Sequence, residues 1–155
     1  MKGIKKILVP LDFSDCSKYA FYYALDIARD RKAEIFLLHI IDMDLLGKIS
    51  DIKLCPKAKA KKLMEKNAKT ELDKLVKVST QKHGISSIRE IIEDGIPFLQ
   101  ILKNAKDLDI DLIIMGTFGT STPMRRLFFG STTERVLKGA KVPVLCIPLP
   151  QTIEG

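Results

Sequence analysis

The chain has 155 residues, of which 46% are hydrophobic and 29% are charged, and its net charge is +7. This size and composition are typical of one globular domain with its own core, so we expect a single domain over residues 1–155. The chain has no window of roughly 18 apolar residues and no signal-peptide pattern, so we expect no membrane span and a cytoplasmic location. Its three cysteines are an odd number without CxxC spacing, so we expect neither a disulfide framework nor a zinc site.

Short apolar runs alternate with segments of helical periodicity along the chain. In chain order they predict strand 6–11, helix 15–31, strand 34–41, a long connection at 43–57, helix 57–82, strand 87–93, helix 97–106, strand 111–115, helix 132–139 and strand 142–149. Four of the runs are rich in Ile, Leu and Val, as strands buried on both faces are, whereas strand 87–93 mixes in polar residues and is expected nearer an edge. The alternation predicts an α/β fold: a five-stranded parallel sheet with helices on both faces.

Two of the predicted helices carry apolar faces that indicate how they pack. In helix 15–31 the stripe consists of Tyr19, Ala20, Tyr23, Ala24, Ile27 and Ala28. Residues 53–82 hold ten lysines against three acidic residues, which accounts for the whole net charge. The apolar residues at helical spacing in that segment are Leu63, Met64, Ala68, Leu72, Leu75 and Val76. Because no aromatic residue interleaves with the lysines, we interpret 57–82 as a surface helix with a lysine-rich solvent face, and we do not expect nucleic-acid binding.

Polar residues follow the predicted strands at the edge where parallel sheets bind ligands. Asp12 comes just after the first strand, where its carboxylate could accept hydrogen bonds from ribose hydroxyls or an adenine amino group. The same carboxylate could instead cap the helix that starts near Ser14. His39, near the end of the second strand, is interpreted as a structural residue whose ring has its polar partners within the folded protein.

A glycine-rich loop, GTFGTSTPMRRLFFGS at residues 116–131, follows the fourth predicted strand. Gly116 and Gly119 let backbone N–H groups approach an anion closely. Gly130 and Ser131 lead into a helix whose first amides lack internal partners, so the loop predicts a phosphate site. A capping box, with Ser131 as the N-cap, and ordinary turn glycines would explain the same residues, and the two interpretations are compatible.

Several better-known sites are missing from the sequence. It contains neither a GxxxxGK[ST] motif nor a GxGxxG after the first strand, so we expect neither a P-loop nor a dinucleotide-binding fingerprint. His39 and His83 are the only histidines, and each has a structural explanation. We therefore name no catalytic residue and no metal ligand.

Five segments of the sequence resemble the universal stress protein family, in this order: KKILVPLDFSD, EIFLLHIID, EDGIP, DLIIMGTFG and GSTTERVLKGAKVPVLCIP. The resemblance covers nearly the whole chain, is weakest at residues 43–82, and implies a Rossmann-like sheet that binds ATP or AMP, as in the ATP-binding branch of the family. Mg²⁺ can accompany the phosphates. By position it implies adenosine contacts from Pro10, Asp12 and the backbone of Ile40, and phosphate contacts from Gly116, Gly119, Gly130, Ser131 and Thr132. It also implies a homodimer that pairs the last strands, Val142 to Ile147.

One departure from the family pattern concerns the glycine loop. Ten residues separate Gly119 from Gly130, where the pattern has nine. If the extra residue bulges outward, the two halves of the loop keep their relation. If it displaces Gly119 from Ser131, affinity for a triphosphate falls while the adenosine contacts survive. Because all three glycines of the pattern are present, we favour nucleotide binding.

Three functional hypotheses follow from the sequence. The first is a nucleotide-dependent sensor or adaptor in a stress response, which works as a dimer with an unknown protein partner. The second is a slow ATPase, in which Arg125 and Arg126 would stabilise the transferring phosphate, although no general base is evident. The third is a nucleotide-free interaction protein that uses the lysine-rich helix 57–82.

Overall fold

A computed structural model describes residues 3–51, 56–85, 87–118 and 129–150 of the chain. Its elements are β1 (Lys6–Pro10), α1 (Asp15–Arg31), β2 (Glu34–Asp42), α2 (Met43–Asp51), α3 (Lys57–His83), β3 (Ile88–Gly95), α4 (Pro97–Asp107), β4 (Leu112–Gly116), α5 (Ser131–Gly139) and β5 (Val144–Ile147). No helix within the described ranges is long and apolar enough to cross a bilayer. The extent of the domain, residues 1–155, stays a prediction.

The five strands form one sheet in the order β3-β2-β1-β4-β5, and every neighbouring pair is parallel. This confirms the predicted α/β fold. The weaker polar run is an edge strand, β3, as expected. The other edge is β5, which at Val144–Ile147 is shorter than the predicted strand 142–149. The interior strand β4 is buried along its whole length, which explains its unbroken apolar run.

Helices cover both faces of the sheet, as predicted. Side chains alternate along a strand, so neighbouring residues of β1 enter different cores. Ile7 and Val9 join one buried cluster with α1 and α3. Leu8 points to the other face and joins a second cluster with α4 and α5. The two cores fix the sheet between helix layers and leave its carboxyl edge as the place where loops converge.

The long connection predicted at residues 43–57 instead begins with helix α2. Asp42 caps this helix, because its Oδ1 accepts hydrogen bonds from the N–H groups of Asp44, at 2.9 Å, and Leu45, at 3.3 Å. Leu46 is fully buried and anchors it. The helix has only nine residues and contains Gly47, so its helix propensity was too weak to predict it.

Helix α1 buries most of the predicted stripe, but its buried face also includes residues outside that stripe and leaves Tyr23 exposed. Phe21 and Leu25 are fully buried, whereas Tyr23 is 47% exposed. The small residues of the predicted stripe, Ala20 and Ala24, are buried as expected. The core takes the purely apolar side chains flanking the alanines, because a tyrosine hydroxyl buried there would need a hydrogen-bond partner.

Helix α3 is the predicted lysine-rich surface helix, and part of its charge is compensated. Lys61 Nζ lies 2.9 Å from Asp94, and Lys69 Nζ lies 2.7 Å from Glu90, both on β3. Such exposed pairs contribute little to stability, but they reduce the net positive charge of this surface. The prediction that Leu63 lies on the apolar face is wrong, because this residue is 57% exposed.

Candidate functional site

A cavity of about 780 Å³ opens at the carboxyl edge of the sheet. It lies where the strand order reverses, because β2 and β3 follow β1 on one side whereas β4 and β5 lie on the other. At such a switch point the loops that leave neighbouring strands diverge toward opposite faces, which opens a crevice. The cavity falls within the usual range of small-molecule sites, roughly 300–1,000 Å³.

Seven of the eight predicted site residues line this cavity: Pro10, Asp12, Ile40, Gly116, Gly130, Ser131 and Thr132. The eighth, Gly119, lies outside the described residues, and so does most of the ten-residue spacing that follows it. The fold thus brings together residues that are far apart in the chain. Their roles in binding stay predictions.

The backbone of Ile40 presents a donor and an acceptor on the side of β2 that faces β1. Leu38 turns its carbonyl to that side, where it accepts from the Leu11 amide at 2.8 Å. Backbone groups two residues apart in a strand face the same way, so the N–H and C=O of Ile40 do too. However, β1 ends at Pro10, and among the described residues the structure shows no backbone hydrogen bond from Ile40 to Leu11 or Phe13, its partners in a continued ladder. Within the described part of the chain, an adjacent N–H and C=O therefore remain for a ligand at the cavity wall.

His39 closes the end of the β1–β2 ladder with its side chain. Its Nδ1 lies 2.7 Å from the Leu11 carbonyl oxygen, and its ring centroid lies 4.6 Å from that of Phe13. A carbonyl only accepts, so Nδ1 carries the proton and donates. Burial lowers the pKa of His39 below its ordinary value of 6.5, although the bond to Leu11 and the charge of Asp12 oppose this shift. The ring is therefore neutral at pH 7, and it also lines the cavity.

The lowered pKa of His39 predicts a stability loss on mild acidification. Below pH 6.5 the unfolded chain binds a proton that the folded protein accepts only at lower pH, so the free energy of unfolding falls as the pH falls through this window. His39→Asn keeps an N–H donor at the position of Nδ1 but does not titrate. Urea midpoints at about pH 7.5 and about pH 5.5 should therefore drop further for the wild type than for this variant. Equal drops would contradict the assignment.

Asp12 lies exposed at the cavity and braces the turn into α1. Its Oδ1 accepts hydrogen bonds from the N–H and the hydroxyl of Ser14, at 3.0 and 2.5 Å. Ser14 itself is the N-cap of α1, because its hydroxyl accepts from the Ser17 N–H at 3.2 Å. The alternative that Asp12 caps this helix is therefore wrong. The carboxylate instead accepts hydrogen bonds from Ser14, the residue that caps the helix. Asp12 also lines the cavity.

Helix α5 begins at the cavity with backbone amides that have no partner within the helix. Gly130 is its N-cap and has no side chain that could bond to them. The first intrahelical bond runs from the Glu134 N–H to the Gly130 carbonyl at 3.0 Å, so the N–H groups of residues 131–133 have no partner within the helix. The predicted capping box is wrong, because Ser131 is the first helical residue and Glu134 pairs with Lys138. This arrangement suits an anion.

The start of α5 is fixed on the end of β4. The Thr133 hydroxyl is buried and donates to the Gly116 carbonyl at 2.9 Å, and the Gly130 N–H donates to the Thr117 carbonyl at 2.8 Å. A Cβ on Gly116 would lie 2.8 Å from the Cys16 Sγ and 3.1 Å from the Cys16 carbonyl carbon. Gly116 thus allows the first turn of α1 to pack on β4, a structural requirement that the sequence did not reveal.

Helix α3 supplies a further wall of the cavity, which the sequence prediction missed. The residues concerned are Met64, Asn67, Ala68 and Glu71. Their spacing of three and four places them on one helix face. This periodicity was visible in the sequence, but it assigned Met64 and Ala68 to the core and left the polar pair unassigned. The opposite wall therefore offers an amide and a carboxylate to a bound molecule.

The described part of the site offers groups for binding rather than a metal centre. No three His, Cys, Asp or Glu side chains within the described ranges come together as a metal site. Arg125 and Arg126, which the ATPase hypothesis would use, lie outside those ranges. What the geometry provides is a backbone donor–acceptor pair, carboxylates and the N-terminus of a helix.

Comparison with known proteins gives one consistent result. The model of the universal stress protein family matches residues 3–148. Universal stress protein MJ0531 of Methanocaldococcus jannaschii is 33% identical over 150 residues, which are 95% of this chain and 84% of the relative.

Solved structures share the fold. That of protein MJ0577 of the same organism has a TM-score of 0.79 and 30% identity, with 97% of this chain and all of that chain covered. The universal stress protein from Archaeoglobus fulgidus in complex with dAMP has a TM-score of 0.65 and 23% identity, with 94% of this chain and 99% of that chain covered. At that identity, the second likeness concerns the fold alone.

Proposed function

Because the chain belongs to the universal stress protein family, we propose that it binds an adenine nucleotide, ATP or AMP, in the cavity at the carboxyl edge of its sheet. Within the cell we assign it to the cytoplasm, as a nucleotide-dependent sensor or adaptor in a stress response. Such a role requires that the nucleotide bind two states of the protein with different affinities. Helices α2 and α3, which both line the cavity, are the elements through which binding would act.

The backbone of Ile40 is the observation that carries the choice of base. Adenine presents an acceptor at N1 next to a donor at N6, which match the adjacent N–H and C=O of Ile40. Guanine and hypoxanthine present the reversed pair, N1–H and O6, and would place donor against donor and acceptor against acceptor. Leaving such groups unpaired costs about 1–3 kcal/mol. The site is therefore proposed to select adenine.

The remaining parts of the nucleotide fit neighbouring groups of the cavity. The carboxylate of Asp12 can accept from ribose hydroxyls, since an ionised carboxylate accepts at both oxygens. The amides of Ser131 and Thr132 at the start of α5 can donate to phosphate oxygens, which the helix dipole also favours. A protein of the same fold has been solved with dAMP, an adenine nucleotide. We propose that Mg²⁺, where present, is held mainly by the phosphates.

Titration with matched nucleotides tests this function. We expect ATP to bind at least about tenfold more tightly than ITP, because the two differ in the hydrogen-bonding pattern of the base edge. Isothermal titration calorimetry with Mg²⁺ measures both affinities, and mass spectrometry of nucleotide released from freshly purified protein identifies what it carries. The absence of both carried nucleotide and measurable ATP binding would overturn the proposal.

The edge strand β5 carries the proposed dimer contact. At Val144–Ile147 it pairs with β4 on one side only, so its other backbone edge can pair with a second copy. We therefore retain the homodimer through Val142 to Ile147 as a proposal. The lysine-rich helix α3 lies away from this edge, next to β3, and leaves a separate surface for a protein partner.

A further inference from the structure

The carbonyl of Leu11 has a different partner from the one a regular ladder would give it. If the β1–β2 pairing continued past Pro10, the N–H of Ile40 would donate to this carbonyl, because Leu38 uses the preceding position. Instead the His39 Nδ1 lies 2.7 Å from the oxygen. The imidazole thus takes the place that the Ile40 amide would otherwise occupy.

The same side chain also fastens the turn that leaves β1. Phe13 has a φ of 66°, in the left-handed region that residues with a Cβ rarely adopt, at a cost of about 1 kcal/mol or more. Its ring packs on that of His39 with centroids 4.6 Å apart and planes tilted by 35°. The hydrogen bond and the ring contact together hold residues 11–13 in a turn that leaves β2 rather than pairing with it.

We propose that His39 is a positioning residue for base recognition, which ends the β1–β2 ladder and so keeps the Ile40 N–H and C=O available to the adenine edge. For the identity of the ligand this inference rests on the proposed function. The ladder itself is a property of the ligand-free protein. His39 acts through Leu11 and Ile40 and needs no contact of its own with the nucleotide.

Two substitutions separate the hydrogen bond from the bulk of the ring. His39→Leu removes the donor and keeps an apolar side chain. His39→Asn keeps an N–H on the atom bonded to Cγ, where the His Nδ1 stands. We expect the leucine variant to lose at least about tenfold in ATP affinity and most of its preference for ATP over ITP, while the asparagine variant keeps the larger part of both. Wild-type affinity and selectivity in the leucine variant would overturn the proposal.

Amide exchange of Ile40 provides a readout that does not depend on the ligand. In the ligand-free wild type this N–H should exchange faster than the paired amides of β2, as measured by ¹⁵N-resolved NMR. In His39→Leu the Leu11 carbonyl is released, so the Ile40 amide should become protected without nucleotide. A strongly protected Ile40 amide in the ligand-free wild type would refute the inference even if the leucine variant failed to fold.

The two measurements also distinguish the failure of this inference from that of the proposed function. If the wild type bound neither ATP nor ITP, adenine recognition would be lost, but the exchange of Ile40 would still decide whether His39 ends the ladder. If ATP bound selectively and the leucine variant behaved as the wild type, the function would stand and the role of His39 would fall.

Discussion

Gly116→Ala is expected to lower the free energy of unfolding by about 2 kcal/mol, the cost of overpacking a buried site. The new Cβ would meet the Cys16 Sγ at 2.8 Å and the Cys16 backbone carbon and oxygen at 3.1 and 3.2 Å. Because part of this contact is backbone in the first turn of α1, the helix would have to shift against β4. For a chain of this length the loss corresponds to a fall of about 4–8 °C in Tm, which thermal and urea unfolding can measure.

Two further variants decide whether the contact with Cys16 causes the loss. Gly47→Ala is the matched control, because nothing lies within 4 Å of its new Cβ and alanine favours a helix, so its stability should be unchanged or higher by up to about 1 kcal/mol. Cys16→Ala combined with Gly116→Ala should recover part of the loss, since it removes the Sγ and leaves the backbone contacts. Wild-type stability of Gly116→Ala would contradict the packing at this position.

Ser131→Asp is expected to weaken ATP binding at least about tenfold while leaving the fold intact. The side chain at this first position of α5 is exposed, and a carboxylate there interacts favourably with the helix dipole, by about 0.3–1 kcal/mol. The same negative charge would repel the phosphates that we place at these amides. Loss of affinity without loss of stability therefore separates a binding effect from unfolding, which calorimetry and thermal unfolding report in parallel.

The control for this prediction is Ser131→Asn, which has nearly the same size without the charge and should bind ATP close to the wild type. Adenosine, which has no phosphate, should bind the aspartate variant as it binds the wild type. Equal ATP affinity in the aspartate and asparagine variants would show that the phosphates do not lie at the start of α5. The phosphate contacts would then have to lie elsewhere in the cavity, whereas the proposed adenosine contacts would not be affected.

The sequence by itself determined the number of strands and their order along the chain, the parallel sheet and the edge where the cavity lies. These features depend on local signals: apolar runs such as the one in β4 mark strands buried on both faces, and helices between them require crossovers in one direction. The polar run in β3 marked an edge in the same way. The family motif also placed most of the predicted site residues around one cavity.

Only the tertiary structure decided what surrounds those residues. Cys16 and Thr117 lie 101 positions apart, yet both pack where β4 ends, and no local pattern encodes that Gly116 must be small to allow it. The face that α1 buries, the wall that α3 supplies and the bond from His39 to Leu11 likewise depend on which surfaces the sheet brings together. Periodicity in the sequence indicates which side chains of an element are buried. Which residues they contact is decided by the three-dimensional packing of distant segments.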